Sequence, residues 1–148
     1  MKLSIHGSRT LYDERVRIII LEELERHQPT VIITHAEPEG VCEVARDICR
    51  EKAIPLKLYF LNFRYLRGAF ERRSKDVLRD SDYAIFIHDG SSKGTHNEIL
   101  LAEKMGIPHS VHELNRTPFR SSVGFPVDEE WKPDIDDVVL QKIDEDLV

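Results

Sequence analysis

One stretch of the sequence indicates the fold most clearly: Asp82-Tyr83-Ala84-Ile85-Phe86-Ile87-His88-Asp89, followed after four residues by Gly94-Thr95-His96-Asn97-Glu98. The first part is apolar and short enough to be a buried strand. The second part leads into apolar residues at helical spacing, and this run ends at Gly106, a residue type that commonly closes helices. The order strand, glycine-containing loop, helix is typical of one unit of an α/β sheet.

The loop between this strand and this helix has the features of an anion site. A helix start presents free backbone N–H groups and the positive end of the helix dipole, so Gly94 and Thr95 at that point predict a bound anion. A nucleotide phosphate is the natural anion, and Glu98, one turn further on, is placed to reach the group that carries it. The alternative is an ordinary N-cap at Thr95 with a solvated Glu98.

The same alternation of strand and helix runs through the rest of the chain. Short apolar runs predict strands at 2–6, 30–34, 56–61, 82–89 and 110–114, and periodic apolar residues predict four helices between them. This pattern indicates a doubly wound, three-layer α/β domain with a five-stranded parallel sheet. The strand order is 3-2-1-4-5, which is Rossmann-like, or 2-1-3-4-5, which is flavodoxin-like. Both orders place a ligand crevice at the carboxyl ends of the strands.

Length, charge and cysteine content limit the class of protein. The 148 residues are enough for one domain, which we place at residues 1–114, with a less regular C-terminal extension at 115–148 packed on the domain or on a dimer partner. The net charge of -6 argues against nucleic acid as a partner. The sequence contains no apolar run long enough to span a membrane, and we expect no signal peptide. Cys42 and Cys49 are predicted to be reduced thiols of a cytoplasmic protein.

Three features of the sequence resemble the SLOG superfamily of Rossmann-like nucleotide-binding proteins, and most of all its small stand-alone members of the YspA type. The features are the first strand followed by Gly7-Ser8-Arg9, the Gly94-Thr95-x-x-Glu98 signature, and Arg73, nine residues before Asp82. The superfamily also contains the LOG-type phosphoribohydrolases, which release a base from a nucleoside monophosphate. The resemblance covers residues 4–114 and implies a Rossmann-like sheet of order 3-2-1-4-5.

The resemblance also implies a nucleotide site at the carboxyl edge of the sheet. In an enzyme, Arg73 would face the ribose or the phosphate, and Glu98 would contact ribose hydroxyls or a water molecule; these two are the candidate catalytic residues. The remaining candidate ligand-binding and phosphate-binding residues lie in the loops around the crevice: Gly7, Ser8, Arg9, Gly40, Gly90, Ser91, Lys93, Gly94 and Thr95. No cofactor is predicted. Because LOG-type relatives pair through helices next to the site, a homodimer is one expectation for this chain.

Three functions remain open at this point. The chain lacks the paired glycines that precede Gly-Thr in LOG-type enzymes, and carboxylates at Glu37 and Glu39 stand beside the single remaining Gly40 of a loop that is glycine-rich in relatives. These departures favour a ligand-binding or sensor module without turnover. The pair Arg73 and Glu98 favours an N-glycosidase, because a carboxylate stabilises an oxocarbenium-like transition state. The third function is a structural partner protein that makes contacts through its acidic tail.

Histidines form a separate candidate group. His6, His35 and His88 each lie near the carboxyl end of a predicted strand, and His96 begins the following helix. In the order 3-2-1-4-5 these strands are neighbours, so the histidines could together bind a divalent metal ion. Successive side chains of a strand point to opposite faces, however, and no His-x-x-His spacing is present. We therefore predict separate, hydrogen-bonded histidines and no metal site.

Overall fold

A computed structural model describes residues 1–62, 64 and 68–117, and in this part of the chain strands and helices alternate. The elements, in chain order, are β1 (Lys2–Gly7), α1 (Glu14–His27), β2 (Val31–His35), α2 (Val41–Lys52), β3 (Leu56–Tyr59), α3 (Ala69–Arg79), β4 (Tyr83–His88), α4 (Lys93–Met105) and β5 (His109–Glu113). All the strands are parallel and their order is β3-β2-β1-β4-β5. The predicted doubly wound α/β fold and the order 3-2-1-4-5 are confirmed.

The alternating side chains of β4 divide the core into two layers. Ile85 and Ile87 belong to the layer covered by α1 and α2, whereas Ala84 and Phe86 pack against residues of α3 and α4. All four side chains are fully buried. A strand that is covered on both faces has a continuous apolar sequence, which is why this strand could be recognised in advance.

The central strand β1 has one apolar face and one polar face. Leu3 and Ile5 lie in the layer under α1 and α2. The intervening residues, Ser4 and His6, point to the opposite face and are also completely buried. Buried polar groups require hydrogen-bond partners, so the face under α3 and α4 must supply polar groups near the carboxyl end of β1.

The helices α1 and α4 begin with contacts other than a capping box at Thr10 and an N-cap at Thr95. Thr10 and Asp13 have the spacing of a capping box, but the Thr10 hydroxyl instead donates a hydrogen bond to Asp89 at 2.6 Å, and α1 begins at Glu14. In α4 the N-cap is Ser92 rather than Thr95, because the Ser92 hydroxyl accepts a hydrogen bond from the Thr95 N–H.

Little of the predicted C-terminal extension falls within the described residues. Thr117 contacts the loop after β1, where its N–H donates to the Thr10 carbonyl at 2.9 Å and its hydroxyl accepts from the Tyr12 N–H at 3.0 Å. The rest of the extension, 118–148, lies outside the described residues. Within the described part of the chain, every helix is too short or too polar to cross a bilayer.

Candidate functional site

Glu98, on the second turn of α4, carries a carboxylate that three side chains contact through one oxygen atom. The distances to Oε2 are 2.9 Å from His6 Nδ1, 2.6 Å from His35 Nε2 and 3.0 Å from Ser74 Oγ. These side chains come from β1, β2 and α3, so the cluster joins both strands to both helices that cover this face of the sheet. Among the described residues, none donates a hydrogen bond to the other carboxylate oxygen, Oε1.

The register of the sheet places two of these groups side by side. Ile5 pairs with Thr34 in the neighbouring strand, so the next residues along, His6 and His35, point together to the face under α3 and α4. Their ring centroids are 5.2 Å apart, and His6 Nδ1 lies 3.2 Å from His35 Nε2. The expectation that these two histidines stay separate is wrong.

His88 does not join this cluster, and the register again gives the reason. His6 pairs with Phe86 on the other side of β1, and the two rings stack with centroids 4.6 Å apart. His88 lies two residues further along β4, where its Nε2 is 3.1 Å from the Ser92 carbonyl oxygen. The expectation of a separate, hydrogen-bonded histidine is therefore confirmed at this position.

The environment keeps Glu98 ionised. Burial by itself would raise the pKa of the carboxyl, but His35 and His6 act directly on Oε2 and hold the pKa of Glu98 well below its usual range. Burial lowers the pKa of His35, and this effect exceeds the opposing attraction of the Glu98 carboxylate. At neutral pH the cluster is therefore a carboxylate that accepts hydrogen bonds, with His35 a neutral donor.

Arg73, on α3, is a buried cation that lacks part of its hydrogen bonding. Its side chain is only 5% exposed, and Nη2 donates to the carboxylate of Glu37. The guanidinium also lies over the ring of Phe70, 5.6 Å from its centroid. In the described part of the chain, Nε and Nη1 have no hydrogen-bond partner. A buried guanidinium with unbonded N–H groups is suited to an anionic ligand that supplies the missing acceptors.

The start of α4 brings three hydroxyl groups together. Thr95 Oγ1 lies 3.3 Å from Ser92 Oγ and 3.5 Å from Ser8 Oγ, and Ser8 Oγ accepts a hydrogen bond from the Asp89 N–H. Residues at the first positions of a helix have no preceding helical carbonyl to bond. A Cβ atom added to Gly94 would meet no described atom within 4 Å, so the backbone is open to close approach there.

Two glycines hold the loop after β1 tightly against α2. Gly40 has φ +83°, and a Cβ atom built on it would lie 2.3 Å from Arg9 Cα. A Cβ atom on Gly7 would lie 2.5 Å from Val41 Cβ. Both positions therefore need glycine for close packing, and the loop is fixed to the start of α2.

A cleft of about 600 Å³ opens at the carboxyl edge of the sheet between these features. The candidate residues on its wall are Gly7, Arg9, Arg73, Gly94, Thr95 and Glu98. The other candidate residues lie beside it: Ser8 is behind Thr95, Gly40 is the N-cap of α2, Gly90 and Ser91 belong to the loop before α4, and Lys93 is the first residue of α4.

Sequence reasoning missed several residues of the wall. Ser74 and Phe70 flank Arg73 at helical spacing on α3, and Leu100 and Leu101 extend the wall along α4. The sequence did contain a signal for these residues: Phe70 and Ser74 are four residues apart, so they share a face of α3 with Arg73.

Comparison of the chain with protein-family models, curated protein sequences and solved structures gives no significant match.

Proposed function

We propose that this cleft binds a nucleotide or a nucleotide derivative, with its phosphate held between Arg73 and the start of α4. The observation that carries the proposal is the buried Arg73 guanidinium, whose Nε and Nη1 face no acceptor among the described residues. Phosphate oxygens accept strong charge-assisted hydrogen bonds from a guanidinium, so they would supply the acceptors that these atoms lack. The Gly94 backbone and the Thr95 hydroxyl supply further donors on the same wall.

Glu98 is suited to the sugar of such a ligand. Its carboxylate is ionised, so it accepts hydrogen bonds from hydroxyl groups, and its Oε1 is left open by the contacts of the described residues to Oε2. The apolar part of the wall, formed by Phe70, Leu100 and Leu101, offers a surface for a base. The volume and the position of the cleft also suit a nucleotide. Small-molecule sites commonly measure several hundred Å³, and doubly wound folds bind ligands at the carboxyl edge of the sheet.

The proposal is tested by thermal-shift and calorimetric titration of the protein with nucleosides, nucleoside mono-, di- and triphosphates, and ribose 5-phosphate. A ligand at 100 times its Kd stabilises the folded state by about 2.7 kcal/mol, which corresponds to an increase in Tm of about 5–10 °C. Ribose 5-phosphate carries the phosphate without a base, and a nucleoside carries the base without a phosphate. Their affinities therefore separate the contributions of phosphate and base to binding. Absence of binding by every phosphate-containing compound would exclude the proposal.

Arg73→Gln is the informative variant for this titration, with Arg72→Gln as its matched control. Loss of the charge-assisted hydrogen bonds of Arg73 is expected to weaken phosphate-containing ligands about 10- to 100-fold. Arg72 is the neighbouring arginine, 42% exposed and paired with Asp76, so its replacement is expected to leave affinity unchanged. Equal affinity of the two variants would contradict the placement of the phosphate.

The ionised, partly shielded Glu98 supports a second candidate function, hydrolysis of the N-glycosidic bond of the bound nucleotide. Cleavage passes through an oxocarbenium-like state, which a carboxylate in a low-dielectric cleft stabilises. The resemblance to LOG-type phosphoribohydrolases supports the same reaction. Chromatography for free base detects turnover directly. We expect Glu98→Gln to lose base release by at least about 100-fold while retaining the ligand, and a variant that releases base at the original rate would contradict this role.

A further inference from the structure

The cluster around Glu98 has a second chemical use that is independent of nucleotide binding. We propose that His6, His35 and Glu98 form the ligand set of one divalent transition-metal ion. The three ligand atoms are His6 Nδ1, His35 Nε2 and Glu98 Oε2, and all lie within 4.8 Å of one another. Each comes from a different regular element, β1, β2 or α4, so the arrangement is held by the fold rather than by a loop.

The geometry of these atoms fits coordination of a single ion. They form a triangle with edges of 2.6, 2.9 and 3.2 Å. For metal–ligand bonds of about 2.1 Å, these edges correspond to ligand–metal–ligand angles of about 75–100°. Angles near 90° are those of three neighbouring positions of an octahedral site, the arrangement of two histidines and one carboxylate on one face of a metal ion.

A cation would also relieve a crowded contact between two ring nitrogens of the cluster. To bond Glu98 Oε2 directly, His6 Nδ1 and His35 Nε2 must each carry a hydrogen, and the two N–H groups then crowd each other across 3.2 Å. A cation instead allows all three ligand atoms to present lone pairs to one positive charge. The contact between His6 Nε2 and Ser4 Oγ, 2.8 Å, then fixes the ring with its hydrogen on Nε2 and a bare Nδ1.

The donor set and its position indicate the class of ion. Two imidazole nitrogens and one carboxylate oxygen suit Zn²⁺, Fe²⁺, Co²⁺ or Mn²⁺ rather than Ca²⁺ or Mg²⁺, which prefer oxygen ligands. His6 is fully buried, whereas His35 and Glu98 line the cleft. The ion is therefore reached from the cleft, and water would complete its coordination.

The test uses untagged full-length protein that has been stripped with a chelator, dialysed and titrated with Co²⁺, followed by its visible absorption and by calorimetry. We expect one equivalent of Co²⁺ to bind and Zn²⁺ to displace it. Glu98→Gln and His35→Asn are expected to weaken binding at least about 100-fold, and Ser4→Ala about 10- to 100-fold through the orientation of His6. His96→Asn is the matched control, because His96 is an exposed histidine of the same helix as Glu98.

Circular dichroism and thermal unfolding of each metal-free variant establish that it is folded before it is titrated. If a buried variant fails to fold, NMR of the wild-type histidine rings decides the question, since bound diamagnetic Zn²⁺ must shift the His6 and His35 resonances far more than those of the exposed His96. The proposal is overturned by a wild-type protein that binds no Co²⁺, or by Glu98→Gln and His35→Asn variants that bind Co²⁺ as tightly as the wild type does. All metal titrations omit nucleotide, and the nucleotide titrations include a chelator, so each proposal stands or fails by itself.

Discussion

Arg73 is a buried charge and Glu98 a partly buried one, and their hydrogen bonding differs. The Glu98 carboxylate has three neighbours on one oxygen atom, which keeps it ionised despite its burial. The Arg73 guanidinium is bonded to Glu37 through Nη2 alone among the described residues. Burial of a charge with incomplete hydrogen bonding lowers stability, so an acceptor supplied by a ligand would restore part of that loss as binding energy. This contrast favours Arg73 over Glu98 as the contact of the proposed anion.

Gly94→Ala separates the stability of the protein from its ligand binding. Alanine is favoured over glycine within a helix, and the added Cβ meets no described atom, so we expect unfolding free energy to rise by up to about 1 kcal/mol. The same Cβ occupies the space where a phosphate would approach the backbone, so phosphate-containing ligands are expected to bind less tightly. Urea unfolding and calorimetry measure the two effects.

The control for this variant is Gly106→Ala, at the other end of α4. Gly106 has φ +72°, a conformation that alanine adopts at a cost, so this substitution is expected to lower stability and leave ligand affinity unchanged. Wild-type affinity in Gly94→Ala would show that no ligand group approaches the backbone at that position.

At the scale of elements, β1 shows what the sequence could reveal and what it could not. The parallel strands and their helices were predictable because buried strands are continuously apolar and helices show their own period. The convergence of His6 and His35 was not predicted, because it depends on the register between two strands, which local pattern does not specify. Ser4 and His6 alternate with Leu3 and Ile5, and this alternation was the available sign of a polar face.

A buried carboxylate of α1 connects the edge strand β5 to this helix. Glu23 is 1% exposed, and its Oε2 accepts hydrogen bonds from Ser110 and from His112 Nε2, the latter at 2.9 Å. Burial raises the pKa of Glu23, but the bonds from His112 and Ser110 outweigh this effect and leave the pKa lowered. Within the sheet β5 pairs only with β4, and the contacts to Glu23 join it in addition to the helix layer that contains α1.

Glu23→Ala is therefore expected to lower the free energy of unfolding by about 3 kcal/mol, since it leaves polar partners unsatisfied. Glu22→Ala, at the exposed neighbouring position, is the control and is expected to change stability by less than about 0.5 kcal/mol. Urea unfolding followed by circular dichroism measures both. Similar values for the two variants would mean that Glu23 does not hold β5 in place.

At the scale of the whole molecule, the two faces of the sheet have different roles. The face under α1 and α2 carries the larger apolar layer, whereas the face under α3 and α4 holds the polar cluster at its carboxyl edge. Glu98 could be placed at this edge because its loop follows the carboxyl end of a strand, whereas Arg73 was placed there by the resemblance to the SLOG superfamily. The Arg73–Glu37 pair could not be foreseen, since it joins a loop and a helix that are distant in sequence.

A homodimer remains a prediction, which light scattering can test.

Asp80 gives the stability of the molecule a specific dependence on pH. Burial would raise the pKa of Asp80, but hydrogen bonds from Lys57, Lys2 and Tyr59 outweigh it and lower the pKa to about 2. Because the folded pKa lies below the unfolded value, the stabilisation is fully present above about pH 4 and is lost as the pH falls towards 2. The bonds connect the end of α3 to β1 and β3.

Asp80→Asn is expected to lower the free energy of unfolding by about 1 kcal/mol at neutral pH, a modest value because the lysines are half exposed and screened by solvent. The difference from wild type should shrink as unfolding is measured at successively lower pH. Asp47→Asn, at an exposed pair with Arg50, is the control and should show little difference at any pH. A difference that stays constant down to about pH 2.5 would contradict the role of the Asp80 charge.

The contact between His6 and Glu98 spans 92 positions of the chain, and this has a consequence for synthesis. As the chain leaves the ribosome, β1 appears first and can pair with β2, but its other edge stays open until β4 has been made. His6 likewise has no carboxylate partner until α4 follows. The central strand of the finished sheet is therefore an edge strand in the nascent protein until β4 pairs with it, and Glu98 reaches the histidines only after α4 has been made.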